Sequence, residues 1–360
     1  MRKKLLFFGY TLDMGGAEKV MIDFLNLLKN QYDIDLVLLQ AKGVLMKDLP
    51  EEIEVKQLRN GLLSYVLFRY IPFFRKLKIN KIANAKDYDV AIGFFEGRSA
   101  TWVADIKKDI RRIAWVHTDV SHCDIGIKEN EILNTYPKMD AVVFVSEDSK
   151  KSFITKHNLE ESRAQVLHNL IDQQKILKQS QEAVTPNDCF TFINVGRMSP
   201  AKRQDRLIKI AKRLKDEGFS FKIQILGSGP EEAKIRQMVA DYGVEDVVEL
   251  KGLVTNPYPY ISQADCVVVS SGFEGYSVAI KEALFLKKPI ISTDVAGVKE
   301  LFDGNRFGIV TENNTDSVYD AVKQVLTGEI DINVIKDNLN GYDCSNQEIT
   351  NKLFNILEKD

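Results

Sequence analysis

Short apolar runs recur from one end of the chain to the other, and a stretch with helical spacing follows most of them. Runs that are apolar at nearly every position are typical of strands buried on both faces of a parallel sheet. The pattern therefore predicts two series of strands: Lys4–Phe8, Ile34–Leu39, Val90–Gly93, Ile113–His117 and Ala141–Ser146, then Phe190–Val195, Lys222–Leu226, Val247–Leu250, Cys266–Val269 and Pro289–Ser292.

A polar stretch at 175–188, with Gln, Ser and Pro, separates the two series and predicts a linker. The predicted fold class is α/β, with two consecutive doubly wound, Rossmann-like parallel-sheet domains at 1–175 and 188–340. A chain of 360 residues is long enough for two such domains facing a shared cleft. Ligands of these sheets bind beyond the carboxyl ends of the strands, so we expect the chemistry in the loops that follow them.

Charge and composition narrow the choice of partners. The 49 Lys and Arg against 51 Asp and Glu give a net charge of −2, which offers no argument for a nucleic-acid partner. No segment approaches the roughly 18 to 20 apolar residues needed to cross a bilayer. The four cysteines are far apart and have no metal-ligand spacing, so we expect reduced thiols in a cytoplasmic protein.

Three of the predicted loops carry candidate chemistry. Gly15 and Gly16 precede a predicted helix at Lys19–Lys29, where paired glycines either admit a phosphate to the backbone N–H groups or only form a turn. Arg197 and Lys202 follow the first strand of the second series. Two cations at a strand end suit a diphosphate, although a solvated basic turn has the same composition.

The third loop carries acidic residues. Glu274 and Glu282 are eight apart, about two helical turns, so that both carboxylates can face one ligand. Ordinary surface glutamates also occur at this spacing. A glycosidase acid and nucleophile pair is disfavoured, because both residues arise from one segment that lies in the same domain as the two cations.

Taken in order, Gly15-Gly16, Gly196-Arg197 with Lys202, Gly227-Ser228-Gly229-Pro230 and the pair Glu274 and Glu282 resemble the retaining glycosyltransferases of family 4, of the bacterial polysaccharide and glycolipid type. Segments 115–119, 144–147 and 168–172 lie where family members carry comparable ones. The resemblance implies the GT-B fold, with the acceptor in the first domain, a nucleotide-sugar in the second, and a last helix at 341–360 returning to the first domain.

The resemblance also implies roles for individual residues. Arg197 and Lys202 neutralise the departing diphosphate, Glu274 holds the transferred sugar, and His117 approaches the sugar or the diphosphate. Asp119 is a weaker candidate for acceptor binding. The implied donor contacts are Gly15, Gly16, Gly196, Gly275, Tyr276, Ser277, Glu282, Leu253 and Val254.

Two Asp-x-Asp triplets, Asp33-Ile34-Asp35 and Asp87-Tyr88-Asp89, invite comparison with the manganese site of another glycosyltransferase fold. Each lies at the start of a predicted strand, opposite the ligand edge, so we interpret them as caps at the strand starts. The sequence predicts no metal site and no cofactor apart from the nucleotide-sugar substrate.

Residues 55–86 contain eight basic and no acidic residues, interleaved with aromatic and aliphatic ones. Such a segment either lies on an anionic membrane surface or packs its apolar face on the sheet and leaves its charges in water. We expect peripheral association with the inner face of the membrane, and an acceptor saccharide linked to a polyprenyl diphosphate.

Other functions remain open on the sequence alone. A noncatalytic GT-B subunit that binds glycan keeps the fold without transfer, and a nucleotide-sugar epimerase shares the architecture. The expected activity is transfer of a hexose or an N-acetylhexosamine from a UDP-sugar, with retention and without a metal. UDP is preferred only because it is the commonest donor nucleotide, since Leu253 and Val254 do not separate uracil from guanine.

Overall fold

The computed structural model describes residues 2–59 and 72–359. The chain folds into two compact units, one formed by Met1–Leu170 with Asn346–Asp360 and the other by Ile171–Ser345. Each unit contains one parallel sheet flanked by helices, which confirms the predicted α/β class. Residues 60–71, the centre of the basic and aromatic segment, lie outside the described residues.

The sheet of the first unit has seven strands in the order β3-β2-β1-β4-β5-β6-β7. The order reverses between β1 and β4, which places a topological switch point there. Neighbouring strands are paired in parallel, and β1 and β4 keep their apolar side chains away from water. The strands are β1 (Lys4–Gly9), β2 (Asp33–Leu38), β3 (Glu54–Gln57), β4 (Val90–Gly93), β5 (Arg111–Val116), β6 (Ala141–Phe144) and β7 (Ala164–Val166).

Six described helices belong to this unit. The last of them, α14 (Gln347–Glu358), contacts the N-terminus and the residue before β2 through Glu358, which accepts a hydrogen bond from Tyr32 Oη at 2.6 Å and pairs with Lys3 at 2.9 Å. The first five are α1 (Gly16–Leu28), α2 (Pro72–Ala83), α3 (Arg98–Ala104), α4 (Glu129–Thr135) and α5 (Glu147–His157), and short 3₁₀ turns lie at Val44–Asp48, Tyr136–Lys138 and Glu161–Arg163.

The second unit also has one parallel sheet flanked by helices, with six strands in the order β10-β9-β8-β11-β12-β13. Its switch point lies between β8 and β11. The strands are β8 (Thr191–Val195), β9 (Lys222–Leu226), β10 (Val248–Gly252), β11 (Cys266–Val269), β12 (Ile290–Thr293) and β13 (Ile309–Thr311).

Eight described helices flank this sheet. Helix α7 is strongly amphipathic and turns Leu207, Ile210 and Leu214 into the core. The helices are α6 (Gln173–Ser180), α7 (Gln204–Asp216), α8 (Glu232–Tyr242), α9 (Tyr258–Gln263), α10 (Val278–Phe285), α11 (Val298–Phe302), α12 (Thr315–Thr327) and α13 (Ile332–Asn340), while α14 (Gln347–Glu358) follows in the first unit.

The ten predicted strands are all present, with ends within two residues of the predicted ones. Three further strands, β3, β7 and β13, were not predicted, and each lies at the edge of its sheet. The prediction of a linker at 175–188 is wrong for residues 175–180. Residues Gln173–Ser180 form helix α6, capped by Asp172, whose side chain accepts a hydrogen bond from the Lys175 N–H.

Aspartates at the strand starts hold neighbouring strands together. The carboxylate of Asp89, just before β4, accepts the N–H of Lys4 at 2.7 Å. Asp140, just before β6, does the same for Arg112, and Asp265, just before β11, for Thr191. Each carboxylate satisfies a backbone donor at the point where strand pairing begins. The Asp87-Tyr88-Asp89 triplet therefore caps a strand through Asp89, as expected.

The other triplet differs from the expectation, because Asp35 is not a cap. Its buried side chain is the centre of an ionic cluster in which Lys56, Lys86 and the Tyr88 hydroxyl all donate to it, Lys86 at 2.9 Å. Burial raises the pKa of Asp35, but the hydrogen bonds from Lys56, Tyr88 and Lys86 outweigh burial and hold that pKa below its ordinary value. The cluster ties β2, β3 and β4 together at the amino end of the sheet.

Helix α2 is buried on one side and exposed at its start. Ile79 and Ala83, in its second half, are fully buried in the core. Phe73, Phe74 and Leu77, in its first half, are 63%, 47% and 52% exposed. One face of the helix therefore packs on the sheet while its start presents an apolar patch to solvent, and contact with a membrane stays a prediction. Residues 55–57, the start of the basic segment, belong to edge strand β3.

Replacing Asp35 by Asn removes the anion from the cluster and leaves two lysines facing an uncharged amide. We expect a loss of about 2 kcal/mol in the free energy of unfolding at pH 7. Because the folded pKa of Asp35 is depressed, its stabilisation is present above the unfolded pKa of about 4 and disappears as the pH falls through the folded value.

Urea unfolding at pH 7 and pH 3 measures this effect, with wild type and variant converging at the lower pH. Asp87→Asn is the matched control, since Asp87 is exposed and its ion pair is with Lys108 at the surface, and we expect no measurable change from it. Equal stability of Asp35→Asn and wild type at pH 7 contradicts the assignment.

Candidate functional site

Two loops at the switch point of the second unit carry most of the predicted donor residues. The loop after β8 contains Arg197 and Lys202, and the loop after β11 contains Glu274. Because β8 and β11 are adjacent parallel strands, both loops leave the sheet at the same edge. The structure thus brings these three predicted side chains to one place.

Hydrogen bonds join the two loops to each other. The Ser270 hydroxyl lies 3.0 Å from the Lys202 carbonyl and 3.1 Å from the Arg203 carbonyl. The Gly272 N–H donates to the Ala201 carbonyl at 2.7 Å. These bonds use backbone groups immediately beside Lys202, so the position of that lysine is set by the loop after β11.

Lys202 and Glu274 form an ion pair across the two loops. The same carboxylate oxygen accepts a hydrogen bond from the Ser271 hydroxyl at 2.7 Å. Both charged side chains are largely buried, 26% exposed for Lys202 and 11% for Glu274. Arg197 is exposed, and no described residue forms an ion pair with its guanidinium. The two cations of this site therefore differ, one being compensated and the other open to solvent.

Arg206, on α7, is a site residue that the sequence analysis missed. Its guanidinium is 5% exposed and donates to the Ser270 carbonyl at 3.1 Å and to the Asn313 side chain at 2.7 Å. Asn313 in turn donates to the Gly272 carbonyl at 2.8 Å. Burial lowers the pKa of Arg206, and the described residues that bond it supply only neutral oxygens. Arg206 therefore anchors the loop after β11 from beneath.

Glycines let a third loop, after β9, pack on the loop after β8. A Cβ at Gly227 would overlap the Gly196 carbonyl, and one at Gly229 would overlap the Met198 carbonyl. The Met198 N–H donates to the Ser228 carbonyl at 3.0 Å in the same contact. The Gly-Ser-Gly-Pro motif thus serves close backbone packing here. Gly196 itself lies beneath the aliphatic stem of Lys202.

Four further predicted donor residues lie just before α10 or inside it. Gly275, Tyr276 and Ser277 are buried just before that helix, and burial raises the pKa of Tyr276 well above its ordinary value. Glu282, inside the helix, is 3% exposed and accepts a hydrogen bond from the Tyr258 hydroxyl at 3.2 Å. After β10, Leu253 is 49% exposed and Val254 is half-buried, and both lie at the carboxyl edge of the sheet.

Gly15 and Gly16 lie at the start of α1 in the first unit. Gly15 is the residue before the first turn and has an extended backbone, φ −154°. A Cβ on Gly15 would overlap the carboxylate of Glu18, which folds back over the first turn of the helix. An acidic side chain is already favoured at this position by the helix dipole, so a phosphate at Gly15 would meet the negative charge of Glu18.

His117, at the end of β5, has a defined tautomer. Its Nε2 lies 2.8 Å from the Phe94 carbonyl, which can only accept, so Nε2 carries the proton. Nδ1 is buried and has no hydrogen-bond partner among the described residues. Burial lowers the pKa of His117 to about 4, so the ring is neutral at pH 7 and presents a lone pair at Nδ1.

The carboxylate of Asp119, two residues later, forms hydrogen bonds within its own loop. Its carboxylate accepts hydrogen bonds from the backbone and the hydroxyl of Ser121, at 2.9 Å and 2.5 Å. Burial raises the pKa of Asp119, but these bonds outweigh it and lower the pKa below its ordinary value. The structure gives Asp119 a role in shaping the turn, and its part in acceptor binding stays a prediction.

Glu96, after β4, is a second residue that the sequence analysis missed. It is half-buried, and its Oε2 accepts the N–H of His117 at 3.0 Å. Burial raises the pKa of this carboxyl group, and the bond from His117 opposes the rise. An acidic residue in the loop that follows a buried parallel strand, next to Gly97, was the available signal in the sequence.

Within residues 2–59 and 72–359, no group of three or more His, Cys, Asp or Glu side chains is placed to hold a metal ion. The same part of the chain has no helix with the length and apolar character that crossing a membrane requires. The four cysteines are free thiols.

Two family models together match nearly the whole chain. The model described as "Glycosyltransferase Family 4" matches residues 14–175, and the model "Glycosyl transferases group 1" matches residues 175–339. Their junction falls within five residues of the boundary between the two compact units.

Curated and solved proteins agree with these matches. An N-acetylgalactosamine-N,N'-diacetylbacillosaminyl-diphospho-undecaprenol 4-alpha-N-acetylgalactosaminyltransferase of Campylobacter jejuni is 26% identical over 90% of both chains. A poly(ribitol-phosphate) alpha-N-acetylglucosaminyltransferase of Staphylococcus aureus is 30% identical over 38% of this chain and 28% of its own length.

Among solved structures, Anabaena Alr3699/HepE in complex with UDP and glucose superimposes with a TM-score of 0.79, 18% identity and full coverage of both chains. A mutant of S. aureus TarM, in complex with fondaparinux, alpha-GlcNAc-glycerol and UDP, gives a TM-score of 0.77 and 16% identity over 99% of this chain and all of its own. With two parallel-sheet units matched in order by the two family models, this chain belongs to the family 4 glycosyltransferases of GT-B fold.

Proposed function

We propose that this glycosyltransferase moves a hexose or an N-acetylhexosamine from a UDP-sugar to a saccharide linked to a polyprenyl diphosphate, with retention and without a metal, in bacterial cell-surface polysaccharide or glycolipid synthesis. The observation that carries the proposal is the joined pair of loops at the switch point of the second unit. They gather Arg197, Lys202 and Glu274 at the edge where doubly wound sheets bind ligands.

The donor nucleotide is proposed as UDP because the names of two solved relatives of the same fold include it. In this chain Glu282 is buried beside the Tyr258 hydroxyl and would accept hydrogen bonds from the ribose. Leu253 offers an exposed apolar surface to a base. The N–H groups at the start of α10, near Gly275, point a partial positive charge toward a phosphate.

The diphosphate acquires negative charge as the bond to the sugar breaks, so cations that face it stabilise the transition state more than the ground state. Arg197 has no ion-pair partner among the described residues and can meet the diphosphate directly. Lys202 is held by Glu274, and it can turn one of its three N–H donors to a phosphate without leaving that carboxylate. These two cations supply the charge for which other enzymes use a metal.

The transferred sugar is assigned to Glu274, and His117 of the first unit is assigned to a sugar hydroxyl. The Glu274 carboxylate is fixed by Lys202 and Ser271, which leaves its other oxygen for a sugar hydroxyl. His117 presents only a lone pair at Nδ1 and therefore accepts a hydroxyl proton rather than donating one. Retention follows if the departing phosphate oxygen takes the acceptor proton on the same face of the sugar.

The lipid-linked acceptor is proposed from the name of the Campylobacter relative, which acts on a diphospho-undecaprenol. A lipid carrier requires the enzyme to work at a membrane, and the start of α2 provides a surface suited to it. Phe73 and Phe74 are exposed and in edge-to-face contact, with Leu77 beside them one turn later. Lys81 is exposed on the same helix and has no ion-pair partner among the described residues.

Other cations of this helix have structural partners. Arg75 and Lys76 both pair with Asp105 at 3.1 Å, and Lys78 donates to the Leu58 carbonyl at 2.7 Å. Neutralising them would disturb the packing of α2 as well as any contact with lipid. The exposed apolar residues therefore test membrane binding more cleanly than these cations do.

The first prediction concerns nucleotide binding. UDP at about 100 times its dissociation constant should raise the free energy of unfolding by about 2.7 kcal/mol, because it binds only the folded state. Thermal shift with UDP, GDP and ADP measures the effect, and UDP alone should raise the melting temperature. Glu282→Gln should abolish most of the shift, while Glu300→Gln, in the neighbouring helix α11, should keep it. A chain that responds to no nucleotide contradicts the proposal.

The second prediction concerns transfer itself. Arg197→Met and Lys202→Met should each lower kcat by about 100- to 1000-fold, since each removes a charge that faces the leaving group. Glu274→Gln should reduce transfer more than it reduces UDP affinity. Lys209→Met is the control, because Lys209 lies on α7 and pairs loosely with Asp205 at 3.8 Å. Wild-type rates in Arg197→Met and Lys202→Met would refute the proposed roles.

The third prediction concerns the membrane. The full chain should sediment with vesicles that contain about 30% phosphatidylglycerol in phosphatidylcholine and less well with phosphatidylcholine alone. Phe73→Ser, Phe74→Ser and Leu77→Ser combined should abolish sedimentation. Leu133→Ser with Leu177→Ser is the matched control, since these leucines are exposed to a similar degree elsewhere, 51% and 53%. Equal sedimentation of the triple variant and the control contradicts membrane binding through α2.

A further inference from the structure

The carboxyl edge of the first sheet, at its switch point, carries a carboxylate to which no role has been given. Tyr10 follows β1, Glu96 follows β4 and His117 follows β5, so the three leave the carboxyl edge of adjacent strands. In doubly wound sheets this edge is where ligands bind. The residues proposed for the nucleotide diphosphate lie almost wholly in the second unit, which leaves this edge for another part of the substrates.

The Glu96 carboxylate is half-buried and lacks a counter-ion. The only described residue other than Glu96 itself that donates to it is His117, through its backbone N–H at 3.0 Å to Oε2. No Lys, Arg or His of the described residues forms a salt bridge with it. A carboxylate can accept about four hydrogen bonds, so most of its accepting capacity is unused in a place where burial already disfavours its charge.

The backbone around Glu96 is held firmly. The Tyr10 hydroxyl donates to the Glu96 carbonyl at 2.8 Å, and the Gly97 N–H donates to the Tyr136 hydroxyl at 3.1 Å. Gly97 has φ +73°, and a Cβ there would overlap the Ile125 carbonyl, so a side chain is excluded on both counts. These contacts hold the backbone of Glu96 and Gly97 in place, and the carboxylate of Glu96 forms none of them.

The groups beside the carboxylate are suited to a sugar. His117 supplies a buried lone pair at Nδ1 that no described residue uses. Tyr10, half-buried, adds an aromatic ring at the same edge of the sheet. Two hydrogen-bond acceptors with unused capacity match a ligand that is rich in hydroxyl donors. A phosphate would instead be repelled by the carboxylate.

We propose that Glu96 binds the acceptor, its carboxylate accepting hydrogen bonds from hydroxyls of the acceptor's terminal sugar. This inference rests on the proposed function, since it presumes transfer to a saccharide. Glu96 orients the hydroxyl that attacks, and it takes no part in holding the nucleotide. The effect of replacing it therefore falls on the acceptor and spares the donor.

The test uses the full chain with UDP-sugar donors and two synthetic probes, short-chain polyprenyl diphosphates that carry a terminal N-acetylgalactosamine or N-acetylglucosamine. Three quantities are measured for each variant: kcat/KM for the probe, the slow hydrolysis of the donor without acceptor, and the melting-temperature shift with UDP. Glu96→Gln keeps the shape and one accepting oxygen, and Glu96→Asp keeps the charge but withdraws it by one methylene. Glu51→Gln, an exposed carboxylate of the same unit, is the control.

Loss of a hydrogen bond to a charged group should lower kcat/KM for the probe by about 10- to 100-fold in Glu96→Gln. Donor hydrolysis and the UDP shift should stay at the wild-type level. Glu96→Asp should show an intermediate loss of kcat/KM, and it provides the test if Glu96→Gln fails to fold. Unchanged probe kinetics, or an equal loss of donor hydrolysis, overturns the role in acceptor binding. A wild type that transfers to neither probe and shows no UDP shift overturns the proposed function itself.

Discussion

The hydrogen bonds between the loops after β8 and β11 are the constraint on which the pairing of Lys202 with Glu274 depends. They join the Ser270 hydroxyl to the carbonyls of Lys202 and Arg203, and Gly272 to Ala201. Without them the two loops would be separate surface connections, and nothing would hold a lysine from one against a glutamate from the other. Arg206 reinforces the contact from inside the unit by binding the Ser270 carbonyl. Burying a guanidinium that only neutral oxygens bind destabilises the folded state. The hydrogen bonds that the guanidinium donates hold the loop in one conformation and offset this effect.

The ion pair between Lys202 and Glu274 affects how the proposed site would meet a nucleotide-sugar. The two charges of the pair cancel at a distance, so an approaching diphosphate would first be attracted by the exposed Arg197. A bound diphosphate would then lie beside Lys202 in a less hydrated setting, where the charge of the lysine acts more strongly. The same ion pair holds Glu274, the residue proposed for the sugar. In the proposed roles, one interaction therefore positions groups for both halves of the donor.

The sequence predicts the central strands of both sheets well and misses three of the four edge strands, for a physical reason. β1, β4, β8 and β11 are covered on both faces and flanked on both sides, so nearly every position is apolar. β3, β7 and β13 have one neighbour each and contain polar residues such as Glu54 and Gln165. Motif residues such as Arg197 and Glu282 were found because their spacing is local. Arg206 and Glu96 were missed because their roles come from contacts with residues distant in sequence, which periodicity does not reveal.

The two units use one topology to produce opposite chemistry. Both sheets reverse their strand order next to the first strand, and both place loop residues at the crevice that results. In the second unit these loops supply the cations Arg197 and Lys202, while in the first they supply the carboxylate of Glu96 and a His117 whose low pKa keeps it neutral. A cationic edge favours a diphosphate, whereas an edge of hydrogen-bond acceptors favours hydroxyl groups and disfavours phosphate. Since the scaffold is shared, the proposed division of substrates between the units rests on a few side chains at the strand ends, and the fold alone cannot specify it.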